Sequence, residues 1–207
     1  METSTGLTKE QKEFRIGKFC CSSIYKLMGQ KGLGKTGETY IYEVAAEFMT
    51  GQQIKPDFYA QSTQWGIDHE EEAGLYFEAA THLKIEKCNT ISNDLICGTP
   101  DGKIISDNSG FEIKCPFNSS HHLRNLLLTN REELLDLRPE YFWQIYGYFW
   151  LLKCDKYRFC SYDPRFSGEK RMLILNITQD DAAMTALVKR VTEAKLIFDN
   201  IIQKLKS

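Results

Sequence analysis

The sequence predicts a mixed α/β fold, a central mixed β-sheet flanked by helices. Apolar residues recur at helical spacing near both ends of the chain, and in the middle the period shortens to strands separated by turn residues. With 207 residues, 42% of them hydrophobic, the chain can bury a sizeable core, and we expect a single domain over 1–207. There is no internal repeat and no low-complexity segment.

Taken in order, Ser22–Met28 predicts a short helix capped by Ser22 or Ser23, and Gly29–Gly37 a flexible glycine-rich stretch. Ile41, Val44, Ala45, Phe48 and Met49 keep a helical period from Thr39 until Gly51 ends it, and a second long helix should run over Ser62–Thr81. Leu83–Thr90, Leu95–Thr99, Lys103–Ser106 and Phe111–Cys115 read as the strands of a β-meander. Helical spacing returns over His121–Leu128 and Pro139–Leu152. Strands over Tyr157–Tyr162 and Arg171–Ile177 then lead into a last helix carrying Met184, Leu187, Val191, Ala194, Phe198, Ile201 and Leu205 on one stripe.

Nowhere do eighteen apolar residues follow one another, and the first twenty carry Lys9, Lys12, Arg15 and Lys18 without an apolar run, so neither a signal peptide nor a membrane span is expected. The seven cysteines, at 20, 21, 88, 97, 115, 154 and 160, contain no CxxC pair; they read as reduced thiols of a cytoplasmic protein. The net charge of −2 excludes a protein that coats nucleic acid by bulk electrostatics. Yet residues 1–35 hold seven Lys/Arg against three acids, and residues 56–83 hold six acids and no Lys or Arg. A metal-dependent enzyme acting on a polyanion needs such an arrangement, although ordinary surface scatter yields similar counts.

Gly98-Thr99-Pro100-Asp101-Gly102, followed after a turn by Gly110-Phe111-Glu112-Ile113-Lys114-Cys115-Pro116, carries the most information. Strand alternation puts Phe111, Ile113 and Cys115 on one face and Glu112 and Lys114 on the other, with Asp101 brought beside Glu112. Two converging carboxylates repel unless a cation lies between them, and hard oxygen ligands suit Mg²⁺, with Mn²⁺ as the alternative. A lysine two residues on is placed to orient or help deprotonate an attacking water, or to neutralise charge on a phosphate. An exposed hairpin edge with an ordinary Glu and Lys satisfies the same short pattern.

Glu70 of His69-Glu70-Glu71-Glu72 falls at helical spacing among Thr63, Gly66, Ala73, Gly74 and Phe77, a small and apolar face, with Glu71 and Glu72 rotated away. A carboxylate there calls for a metal or a metal-bound water, or is a capping or solvated Glu. Gln144 lies in an aromatic, buried helix one turn from Tyr148, placed to hold the lysine or the water, or bonded to backbone.

Trp65-Gly66-x-x-x-Glu70, Thr99-Pro100-Asp101-Gly102, Glu112-Ile113-Lys114-Cys115-Pro116-Phe117, Gln144 and Tyr162-Asp163-Pro164-Arg165 together resemble the YqaJ-type viral recombinase family of phage-lambda-type exonucleases, within the PD-(D/E)xK nuclease superfamily. The resemblance covers about Arg15 to the last strand and implies a restriction-endonuclease-like core. It implies that Asp101, Glu112 and the Ile113 carbonyl bind Mg²⁺, that Glu70 completes the metal shell, and that Lys114 and Gln144 position the water. Arg15-Ile16-Gly17 and Ser22 match positions that hold DNA phosphate, and Thr99 one whose hydroxyl serves the 5′-phosphate, where relatives also carry serine. Cys20 and Cys21 stand where the family has Thr and Ala. Kinship further implies a trimeric ring on double-stranded DNA ends, a single-strand annealing partner, and release of 5′-mononucleotides that leaves 3′ overhangs. A structure-specific endonuclease on the same core, and a catalytically silent DNA-binding module, are the rival readings.

Gly29-Gln30-Lys31-Gly32-Leu33-Gly34-Lys35-Thr36 satisfies the phosphate-binding pattern GxxxxGK[ST]. The preceding Ser22–Met28 has helical rather than strand spacing, so an ATPase is disfavoured and a flexible basic loop touching DNA is expected.

Overall fold

The computed structural model describes residues 14–52 and 61–206. Glu2, Lys9, Glu10, Lys12, Glu13 and Asp57, which enter the charge counts above, lie outside the described residues.

The first strand among the described residues, Phe19–Cys20 (β1), runs parallel to Ile96–Gly98 (β4); at two residues it is too short for any sequence period to reveal. A 3-10 helix follows over Cys21–Leu27, entered from Cys20 with no side-chain cap, so neither Ser22 nor Ser23 acts as the expected cap. The next helix, α1, spans Gly34–Thr50 and begins inside the stretch expected to be flexible. Gly37 fits there because it is buried: a Cβ would lie 3.2 Å from the Lys26 carbonyl. Gly51 ends α1 at φ 66°, a left-handed cap that favours glycine. The GxxxxGK[ST] segment hangs from the 3-10 helix, where a phosphate-binding loop would follow a buried strand.

Helix α2 covers Gln61–Thr81 and packs Ala73 and Phe77 on the sheet. The middle of the chain is not a plain meander. Ile85–Glu86 (β2) pairs with Gly102–Ile104 (β5), whereas Ile91–Ser92 (β3) pairs with β4. Two sheets result, β1-β4-β3 and β2-β5-β6-β7-β8, with Ser109–Lys114 as β6, Lys156–Tyr162 as β7 and Met172–Thr178 as β8. Pro100 has no N–H to offer a ladder, so β4 stops at Gly98 and Thr99-Pro100-Asp101 crosses from one sheet to the other.

β6 and β7 are parallel and the other pairs of the larger sheet antiparallel, as expected of a mixed sheet. The crossover between them carries three helices, Ser119–Asn125 (α3), Arg131–Leu137 (α4) and Pro139–Leu152 (α5). The sequence reading missed α4, although Asn130 accepts from the Glu133 N–H at 2.9 Å and Glu133 reaches back to the Thr129 N–H at 2.7 Å, a capping-box pattern. Buried His122 ties α3 to the sheet. Its Nε2 faces the Lys170 carbonyl, which only accepts, so Nδ1 accepts from the Ser161 hydroxyl at 2.9 Å.

The last helix, α6, runs over Asp181–Lys206 and buries Leu187, Val191, Ala194, Phe198 and Ile202. The expected stripe drifts at its end, leaving Ile201 half-buried and Leu205 exposed, because 3.6 residues per turn rotates a seven-residue spacing off the face. Strand alternation divides the core. Phe111 and Ile113 of β6 with Cys160 and Tyr162 of β7 meet α2, and Tyr157 and Phe159 of β7 join the cluster built on α1, α5 and α6.

Candidate active site

Asp101 stands at the end of the crossing between the sheets, where its Oδ2 accepts from the Ile113 N–H at 2.8 Å and fixes it against β6. Glu112, the next residue back on β6, is 1% exposed. Its Oε1 accepts from Lys114 Nζ at 2.5 Å and from Gln144 Nε2 at 2.7 Å, while Oε2 is buried with no partner among the described residues. Burial raises both carboxyls above their ordinary range. The Glu112 charge raises Asp101 further, and Lys114 works against the rise in both. For Lys114 itself, burial works to lower the ammonium, but Glu112 and Asp101 outweigh it and hold the group protonated.

Helix α5 holds this face of β6 with a stripe of three residues. The Tyr141 ring lies 5.3 Å from Lys114 Nζ, Gln144 donates to Glu112, and Tyr148 accepts from Gln144 at 3.3 Å while donating to the Thr99 carbonyl at 3.0 Å. The expected Gln144–Tyr148 pairing is present, and the amide's first partner is the carboxylate. Sequence reading missed Tyr141, although its spacing three residues before Gln144 puts it on the same face.

Glu70 is exposed at the mouth of the cleft rather than turned into the apolar core, which Ala73 and Phe77 fill. The reason is positional: the first turns of α2 run past the end of β6, so residue 70 meets the cleft where residue 77 meets the sheet. Partial loss of solvent inside the cleft, and then the Asp101 charge, raise its carboxyl. Glu72, expected to turn away, accepts from the Tyr162 hydroxyl at 2.8 Å and so pins α2 to β7. Glu70, Asp101, Ile113, Lys114 and Tyr141 line one cavity of about 530 Å³, at the carboxyl end of the parallel β6–β7 pair. Phe117, which also lines it, is held from behind by Arg165, which donates to the Phe117 carbonyl at 2.9 Å, lies over the Trp65 ring at 4.4 Å and pairs with Asp163 at 2.7 Å. Trp65 in turn stacks on His69 at 3.8 Å.

Among the described residues no group of three or more His, Cys, Asp or Glu side chains gathers to hold a metal ion. Mg²⁺ needs less than that, since one or two carboxylates with water and substrate phosphate satisfy it. The buried, partnerless Oε2 of Glu112 beside Asp101 is the kind of oxygen a hard cation would satisfy.

A second cluster stands next to the first. Arg15 Nη2 donates to Thr99 Oγ1 at 3.3 Å, Nη1 lies 3.8 Å from Cys20 Sγ, and Nε is buried with no partner among the described residues. Cys20 Sγ is 3.2 Å from Ser22 Oγ, and Thr90 Oγ1 is 2.8 Å from Thr99 Oγ1. The structure thus brings Arg15, Ser22 and Thr99 together. Thr99 and Asp101 lie two residues apart, so at most about 7 Å of chain separates the two clusters.

The profile of the YqaJ-like viral recombinase domain matches residues 11–155. Among solved structures, the chain is similar to an alkaline exonuclease (LHK-Exo) from Laribacter hongkongensis, with 22% identity, a TM-score of 0.80, and 96% of each chain covered. The same figures hold for LHK-Exo in complex with dAMP. A phage-related exonuclease from Haemophilus somnus 129PT matches with 19% identity and a TM-score of 0.77, over 95% of this chain and 99% of that one. A comparison with curated proteins gave no match.

Proposed function

Because this chain belongs to the YqaJ-like viral recombinase domain family, we propose that it is a Mg²⁺-dependent exodeoxyribonuclease. On this reading it digests linear double-stranded DNA from 5′ ends, releases 5′-mononucleotides and leaves 3′ overhangs for single-strand annealing. The observation that carries the reading is the adjacency of the two clusters. An exonuclease must hold a terminal phosphate one nucleotide from the bond it cuts, and Thr99, to which Arg15 donates, lies within about 7 Å of chain from Asp101.

Asp101, Glu112 and the Ile113 carbonyl would hold the cation, with Glu70 closing the shell across the cleft. The cation supplies charge stabilisation for the attacking and leaving oxygens. Lys114, held as an ammonium by Glu112, orients the attacking water and meets charge on the scissile phosphate. Gln144 fixes Glu112, and through it the lysine. Contacts from Arg15, Ser22 and Thr99 go to phosphate, so little sequence preference follows. A trimeric ring around the duplex, a single-strand annealing partner and a cytoplasmic location complete the proposal; no helix among the described residues is long and apolar enough to cross a membrane.

The test is digestion of linear duplex bearing a 5′-phosphate or a 5′-hydroxyl, beside a closed circle, with Mg²⁺ or EDTA and with Lys114→Ala as control. Mg²⁺-dependent mononucleotide release from the phosphorylated linear DNA alone, lost in the variant, is the expected result. Cutting of the circle would point to a structure-specific endonuclease on the same core, and no cleavage of any substrate to a binding module.

A further inference from the structure

We propose that Cys20 and Cys97 are a peroxide-sensitive dithiol that controls the anion pocket formed by Arg15, Ser22 and Thr99. The inference rests on the reading of that pocket as the site for the terminal phosphate. Its basis is the pairing of β1 with β4, which sets Cys20 directly opposite Cys97 in parallel register. Neighbouring strands lie about 4.8 Å apart, inside the roughly 4.4–6.8 Å between Cα atoms that a disulfide spans. In that register the Cys20 and Cys97 side chains leave the paired strands on the same side, whereas Cys21, the next residue, turns to the opposite side and packs on Gly98 and Gly147.

The two sulfurs differ in reach. Cys97 is fully buried and Cys20 is partly exposed at the pocket, where Arg15 and Ser22 touch its sulfur. The neighbouring Cys97 side chain, the Arg15 charge and the Ser22 hydroxyl hold the Cys20 thiol below its ordinary value, while the same pairing and burial hold Cys97 above its own; burial also pushes the Cys21 and Cys160 thiols up. Cys20 is therefore the nucleophile and Cys97 the resolving thiol. The Cys20 sulfur attacks a peroxide oxygen, the O–O bond breaks, and sulfenic acid and water form. The Cys97 sulfur then attacks the sulfenic sulfur and releases a second water. Two thiols and one hydrogen peroxide thus give one disulfide and two waters. In the disulfide, Cys20 Sγ is drawn toward β4, away from Arg15 and Ser22, and the pocket loses the arrangement that receives a phosphate.

The reduced full-length protein is treated with hydrogen peroxide, mapped by non-reducing peptide mass spectrometry, and assayed on 5′-phosphorylated and 5′-hydroxyl duplexes before and after dithiothreitol. We expect a Cys20–Cys97 linked peptide, two fewer free thiols than the seven of the sequence, and an at least ~10-fold loss of the preference for phosphorylated ends, restored by dithiothreitol. Cys97→Ser and Cys97→Ala keep the pocket residues and should form no linked peptide. Oxidation of other cysteines without that linkage overturns the proposal, as does a linkage that leaves end preference unchanged. A reduced enzyme that ignores the 5′-phosphate is a different failure: it removes the pocket reading, and the control of it, before any oxidant is added.

Discussion

Glu112 shows what the site demands of one residue. An almost fully buried carboxylate is costly unless charge and hydrogen bonds surround it, and here one oxygen has two donors and the other none. Gln144→Ala removes one donor and leaves the carboxylate and the Lys114 ammonium in place. A ~10–100-fold fall in kcat with little change in KM for DNA is expected, the usual size for a residue that orients a ligating group. Gln144→Glu, which places a third carboxylate at Glu112, should do worse than Ala. A rise in KM alone would show that the amide touches DNA instead.

Asp107 makes the opposite use of charge, at a partly exposed turn. Arg158 Nη2 lies 2.5 Å from its Oδ2 and Ser109 Oγ donates to Oδ1 at 2.7 Å, which together lower the carboxyl to about 2. The unfolded value is about 3.9, so the group contributes stability that is fully present above about pH 4 and is lost as pH falls toward 2. Discounted for solvent screening, the contribution is on the order of 1 kcal/mol. Urea unfolding of Asp107→Asn should show a loss of that size at pH 7 that shrinks steadily from about pH 4 to pH 2. A constant difference across that range would mean packing, not charge.

At the scale of elements, α5 has to approach the chain closely to reach β6, and Gly147 permits it. A Cβ there would lie 2.7 Å from Cys21 Sγ and 3.2 Å from its Cβ. Gly147→Ala should therefore lower stability by about 1–3 kcal/mol despite alanine's better helix propensity. Adding Cys21→Ala should restore at least half, a coupling readable from a double-mutant cycle in urea. Additive losses would place the strain elsewhere. The sequence carried α5 to its end residues because Pro139 starts it and aromatic residues repeat at helical spacing. It did not carry β1 or β3, and it placed β2 inside a longer strand, Leu83–Thr90: two-residue strands have no period, and their pairing depends on where Pro100 stops β4.

For the whole molecule, the central constellation was legible because Asp101, Glu112 and Lys114 lie within one hairpin, where strand alternation alone decides which side chains converge. Glu70 was legible as a residue and not as a position. Periodicity places it on the face of Ala73 and Phe77, but only the length of β6 decides that this face has left the sheet by residue 70. Arg15 meeting Thr99 across 84 residues depends on the β1–β4 register, which no local signal contains.

That long-range meeting sets the last prediction. With a net charge of −2 the chain has no bulk attraction for DNA, so binding must come from a few placed cations, and each phosphate contact adds about 0.9 to the slope of log affinity against log salt. Arg15 is such a cation if its buried, partnerless Nε–H and its Thr99-bound Nη2 face a phosphate. Duplex binding measured in EDTA over a salt series should then show a slope about one unit shallower for Arg15→Ala, and the loss of affinity should be larger for 5′-phosphorylated than for 5′-hydroxyl ends. An unchanged slope would leave Arg15 as a structural donor to Thr99, and the terminal phosphate would have to be held by another residue.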